Sequence, residues 1–109
     1  SKTWPRRRMS DRIAQFTALV AAQPANPLFR FSLAQALDAA NRLPEAAEHY
    51  RVCVAARADW MMPRILLGKL LLRAGDPAAA RPLLEDALQL AVAQDHEDPA
   101  AELKALLAN

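Results

Sequence analysis

Apolar positions along the chain fall three and four residues apart in blocks separated by short polar, proline-bearing breaks, and alternation with period two is absent. Leu33 and Leu37 share one helical face, as do Leu67 and Leu71. Leu83, Leu84, Ala87, Leu88 and Val92 form a longer stripe, and Leu103, Leu106 and Leu107 a shorter one. Breaks and caps between these blocks predict six helices. The first runs from Ser10, an N-cap, to Gln23 before Pro24. Asn26 and Pro27 open a second that reaches about Ala40, and a third spans Pro44 to Arg57. Asp59 caps a fourth from Trp60 to Ala74. Asp76 and Pro77 start a fifth ending near Ala93, and Asp98 caps a sixth ending near Ala108. The fold class expected is all-α.

Within this pattern lies an echo at an offset of thirty-four residues. Leu33, Ala34, Leu37, Asn41, Ala46, Tyr50 and Cys53 recur without a gap as Leu67, Gly68, Leu71, Gly75, Ala80, Leu84 and Ala87. The small residues Ala34 and Gly68 let a neighbouring helix approach, and Asn41 and Gly75 tolerate the left-handed conformation that ends a helix. Pro44 and Pro77 sit where a missing N–H costs little. A gapless repeat of paired helices is the mark of a stacked array, which presents a surface for binding.

These residues resemble the tetratricopeptide repeat family, and the chain looks like a small stand-alone bacterial-type member. The resemblance implies an α-α superhelix of antiparallel helix pairs, with two full repeats at residues 27–60 and 61–94. Phe16 and Leu19 stand in register with Tyr50 and Cys53, so residues 10–24 resemble the second helix of a preceding repeat and serve as a leading cap. Residues 98–108 form the C-terminal cap helix, and residues 10–109 together make a single domain. Two departures stand out. The family's large aromatic early in the first helix is replaced by Arg30 and Arg64, and the closing proline is absent at Ala58, although present at Pro24.

Composition refines this picture. Hydrophobic residues make up 53% of the chain and aromatics only 6%, so the core is built from Ala, Leu and Val, which suits closely packed helices. An excess of Arg over Lys, with abundant Ala, suggests a GC-rich bacterial origin. Lys2, Arg6, Arg7 and Arg8 account for more than the whole net charge of +2, which leaves the remainder mildly acidic. Residues 1–9 are therefore expected as a disordered basic tail or upstream extension. Arginines beside Trp4 are groups that can touch nucleic acid, yet without a basic surface behind them they do not make nucleic acid an expected partner. The stretch at residues 13–22 is too short and too amphipathic to span a membrane. Cytoplasmic location follows as the default.

Candidate chemistry is sparse. Cys53 occupies a small buried register position, and His49 lies one turn before it on the same helix, a poor arrangement for a nucleophile and its base. His96 is the one nitrogen ligand in an acidic loop, too few for a metal site. The chain is accordingly expected to be no enzyme, with neither catalytic, metal nor cofactor-binding residues.

Partner binding remains. In the tetratricopeptide repeat family the first helix of each pair lines the concave wall. That pattern places Leu28, Phe31, Gln35 and Asp38 on one helix, and Met62, Ile65, Lys69, Leu72 and Arg73 on the other, as a largely apolar groove with a basic end. Chaperone-adaptor members grip a terminal carboxylate with a Lys and Asn pair, whose places here hold Phe31 and Gln35, so that clamp does not transfer. The expected function is a non-catalytic scaffold that binds a peptide or helix of a protein partner. The alternative is a homodimer whose groove is occupied by its own chain or by a second copy.

Overall fold

A computed structural model describes residues 4–108 of the chain, with side chains from Arg7 onward. Helices α1 (Trp4–Ala22), α2 (Pro27–Ala39) and α3 (Leu43–Ala56) lie in a first unit, and α4 (Met61–Arg73), α5 (Pro77–Ala93) and α6 (Glu97–Leu107) in a second. No strand occurs among the described residues. In the first unit α2 packs on both α1 and α3, and in the second α5 packs on both α4 and α6.

The echo in the sequence coincides with the core of each unit. Leu33, Ala34, Leu37, Ala46, Tyr50 and Cys53 are buried between α2 and α3, and Leu67, Gly68, Leu71, Ala80, Leu84 and Ala87 between α4 and α5. The remaining register pair supplies the turns, with φ of 60° at Asn41 and 82° at Gly75. In each turn two successive N–H groups return to the helix just ended. Asn41 and Arg42 donate to the carbonyls of Asp38 and Leu37, and Gly75 and Asp76 to those of Leu72 and Leu71. This closes the helix end while reversing the chain within three residues, which makes the joined helices antiparallel neighbours.

A third turn of this kind was not foreseen. Asp95 has φ of 57°, and Asp95 and His96 donate to the carbonyls of Val92 and Ala91. Aspartate enters the left-handed region more readily than most residues, so Asp95 does here what Asn41 and Gly75 do. Consequently α6 starts one residue before the expected cap, with His96 in the N-cap place and Glu97 and Asp98 in the first turn, where negative charge suits the positive end of the helix. Leu103 is wholly buried and anchors α6.

The largest departure from expectation is at the N-terminus. Residues 4–9, expected as tail, belong to α1, which starts at Trp4 instead of Ser10. Pro5 lies where its missing N–H is harmless, and no breaker separates it from Ser10. The first three residues of the expected tail lie outside the described residues. At the other caps, Asn26 accepts from the Leu28 N–H at 3.0 Å and Asp76 from the Ala79 N–H at 3.2 Å, as the sequence predicts. Trp60, not Asp59, occupies the N-cap place of α4, without a side-chain cap.

Arg30 and Arg64, the residues standing where an aromatic was expected, hold the turns that precede their helices. Arg64 is buried, and its Nη1 donates to the carbonyls of Trp60 at 2.7 Å and Arg57 at 3.1 Å. Arg30 Nη2 donates to the Pro24 carbonyl at 3.4 Å, while its Nη1 lies 3.2 Å from His49 Nδ1. A guanidinium has donors in a fork and no acceptor, so it can satisfy carbonyls that a helix or turn leaves open.

Candidate partner-binding surface

The residues proposed to line a groove divide between the two units. On α2, Leu28 is 53% exposed and Gln35 is exposed, whereas Phe31 and Asp38 are half-buried. Phe31 sets its ring against that of Tyr50, with centroids 6.1 Å apart at 57°. Asp38 accepts a hydrogen bond of 2.9 Å from the Tyr50 hydroxyl. Tyr50 is itself completely buried, so this bond satisfies its hydroxyl. Phe31 and Asp38 are thus partly spent on holding α2 to α3, and Leu28 and Gln35 are the more open members of the set.

In the second unit α4 and α6 face each other across a cleft of about 320 Å³. Met62, Ile65, Leu66 and Lys69 line it from α4, and Asp98, Pro99 and Glu102 from α6. Ile65, expected on an open wall, is only 3% exposed and forms the floor, whereas Met62 is 41% exposed and stands at the lip. Leu66 also lines this cleft and was absent from the expected set. Its signal in the sequence was its place one turn after Met62, on the same side of the helix. Leu72 faces elsewhere. It borders a smaller cleft of about 170 Å³ with Leu106 and Leu107 of α6, while Arg73 is exposed at the end of α4.

Charge at the cleft runs opposite to expectation. Lys69 was read as part of a basic end, but its Nζ lies 2.6 Å from Glu102 Oε1. With Lys69 matched by Glu102, Asp98 is the one further charged residue that lines the cleft and leaves it with a slight negative excess. The charge of α6 could not be assigned to the cleft from the repeat register of α2 and α4, because α6 follows a turn outside that register.

Neither candidate for chemistry has the geometry its reaction requires. The Cys53 thiol donates to the Pro27 carbonyl at 3.7 Å, and burial pushes its pKa up to about 11, away from a reactive thiolate. His49 is held below its ordinary range, first by burial and then by the adjacent Arg30 charge. Because a guanidinium only donates, Nδ1 of His49 is the acceptor in that contact. The imidazole is neutral and its Nδ1 is turned to Arg30. Among the described residues no group of His, Cys, Asp and Glu is placed to hold a metal ion. No described helix is long and apolar enough to cross a membrane.

Helix pairs with a shared core register and a cleft between the first helix of a pair and the helix after it define a helical-repeat interaction protein. Family models agree. One tetratricopeptide repeat model matches residues 13–59 and a second, also of the tetratricopeptide repeat, residues 61–86. The chain belongs to the tetratricopeptide repeat family. No curated protein matches it. Among solved structures it is similar to PcrH, in a crystal structure of PcrH in complex with the chaperone binding region of PopD. The TM-score is 0.86 at 20% identity, over 98% of this chain and 81% of that one, a likeness of fold.

Proposed function

We propose that this chain is a non-catalytic protein-interaction module that holds a peptide or helix of a partner in the cleft between α4 and α6 of its second unit. The observation that carries the reading is the cleft beside α4, where a half-exposed methionine stands over an apolar floor. Methionine is unbranched and polarizable, so such a lip can follow partner side chains of different shapes. Apolar anchors in a groove, with polar groups at the rim setting orientation, are how amphipathic segments are recognised. PcrH, similar in fold, was crystallised with a segment of another protein, which supports a client segment as the ligand class. In the first unit the proposal assigns Leu28 and Gln35 of α2 as partner contacts in their own right, with Phe31 and Asp38 beside them; in the second, Leu72 and Arg73 lie at the margin of the α4 face. The proposal takes the cytoplasm as the module's location.

Panning a displayed random-peptide library on the whole chain tests this. Peptides enriched by the wild-type protein are expected to lose binding to Met62→Asp, whose melting temperature is expected to stay close to wild type because the side chain is half-exposed. Enriched peptides that bind Met62→Asp and Leu28→Asp as well as wild type would sink the assignment.

A further inference from the structure

The first unit holds a cleft of about 460 Å³ between α1 and α3, larger than the 320 Å³ beside α4. It exists because α1 packs incompletely. None of the described side chains of α1 is buried, and Ile13 and Val20, which face this cleft, stay half-exposed. The sides of the cleft differ in kind. Leu33 and Leu37 of α2, both buried, line its floor, and Ile13, Val20 and Ala21 give an apolar wall on α1. Arg42, just before α3, with Glu45 and His49 on it, makes the opposite wall polar. A cleft of this size, mostly apolar with a few placed polar groups, is of the kind that holds small molecules.

The polar wall decides what such a molecule must carry. Arg42 donates to both Glu45 oxygens, at 2.9 and 2.6 Å, so these two exposed charges cancel within the lining. Around His49, the Arg30 charge at Nδ1 is opposed by Glu48 on the same helix. Little net charge is left to attract an ion. Thr17, on the α1 side, donates its hydroxyl proton to the Ile13 carbonyl at 2.6 Å. His49 is different. Its Nδ1 accepts from Arg30, so the proton of the neutral ring sits on Nε2, and among the described residues Nε2–H meets no acceptor. Burial and the Arg30 charge keep the ring in that neutral state. A molecule that offers an acceptor there while covering Ile13 and Val20 gains apolar burial and a hydrogen bond together.

We propose that the α1/α3 cleft binds an uncharged, largely apolar small molecule, held by a hydrogen bond from His49 Nε2–H to a carbonyl-type acceptor on its edge. The site shares no residue with the α4/α6 cleft and stands or falls independently of peptide binding there. Its selectivity follows from the lining. A carboxylate or an ammonium group would enter with its charge unmatched, and a pure hydrocarbon would leave the donor unsatisfied.

Nile red, an uncharged apolar dye with a ring carbonyl, is the probe, titrated into the whole chain and followed by its blue-shifted emission. Saturable binding is expected. Thr17→Phe fills the cleft from an exposed position on α1 and should abolish binding while the melting temperature holds or rises. His49→Phe keeps a ring but removes the donor, and should weaken binding about fivefold. Met62→Asp, at the other cleft, should leave binding unchanged. In protein labelled with nitrogen-15 histidine, the dye should shift Nε2 of His49 and not that of exposed His96. Dye binding that fails to saturate, that survives Thr17→Phe, or that is lost in Met62→Asp would overturn the proposal. So would an unmoved His49 resonance in the saturated complex, or full affinity in His49→Phe.

Discussion

The two helix pairs solve one packing problem with different side chains. In the first, Ala34 and Tyr50 are both fully buried, and the Tyr50 hydroxyl is satisfied by Asp38. In the second, the matching places hold Gly68, Leu84 and Leu72. A Cβ built on Gly68 would lie 2.5 Å from Leu84 Cδ2 and 2.8 Å from its Cγ, so branched Leu84 occupies the room that the missing methyl provides. Small residue and large residue therefore vary together, and the polar tie appears only where the large residue carries a hydroxyl. What the repeat conserves is the filled volume between its helices; how polar atoms are satisfied is settled pair by pair.

The comparison breaks most readily at the leucines common to both pairs. Leu33→Ala and Leu67→Ala each remove a fully packed side chain, and each should cost about 2–5 kcal/mol by urea denaturation. A loss confined to one of them would show that the pairs are not equivalent. Next in size are the turn-holding arginines. Arg64 is buried and bonds two carbonyls, so Arg64→Ala should cost about 2–3 kcal/mol, whereas half-buried Arg30, with a longer bond to Pro24, should lose about 1 kcal/mol or less. Equal losses at the two sites would contradict the account of Arg64.

Gly68→Ala sharpens the volume argument. In an open helix this change is favourable by roughly 1 kcal/mol, but repacking against Leu84 should outweigh that gain and leave a net loss of about 1 kcal/mol. Adding Leu84→Ala should turn the Gly68→Ala step favourable. If Gly68→Ala alone raises the melting temperature, the close approach is not a constraint. Tyr50→Phe tests the polar tie, and about 1 kcal/mol should be lost as the Asp38 bond disappears.

The smallest effect concerns pH. Burial, reinforced by Arg30 and opposed by Glu48 and Glu45, holds His49 below its ordinary value of 6.5. The folded state then binds this proton less readily than the unfolded state. The stability tied to neutral His49 is therefore complete above about pH 6.5 and declines as pH falls through the lowered folded value. His49→Gln should flatten that decline in thermal melts; an unchanged slope would assign it to other groups.

Much of the fold was legible because helix packing writes volume and periodicity into the sequence. Leu33, Leu37, Leu67 and Leu71, the small residues between them, and Asn41 and Gly75 at the turns could be placed from spacing alone. Asp95 was not legible as a third left-handed turn, since its neighbours fall outside the thirty-four-residue register. Arg30 and Arg64 read as departures from a family pattern, and only the carbonyls converging on each guanidinium explain them. The start of α1 was misjudged because the arginines after Pro5 look like a solvated tail, although arginine is a good helix former. Of the proposed partner surface, Met62 and Leu28 are exposed, as apolar positions on an open wall should be. Ile65 is not, because a helical wheel built on two faces has no place for a third helix, α6, which turns an open wall into a cleft.

That cleft is the centre of the functional account, and amide chemical-shift mapping with a peptide selected on the wild-type chain tests it most directly. The account predicts perturbations concentrated at Met62, Leu66, Lys69 and the start of α6. Perturbations confined to the outer face of α5 would contradict it.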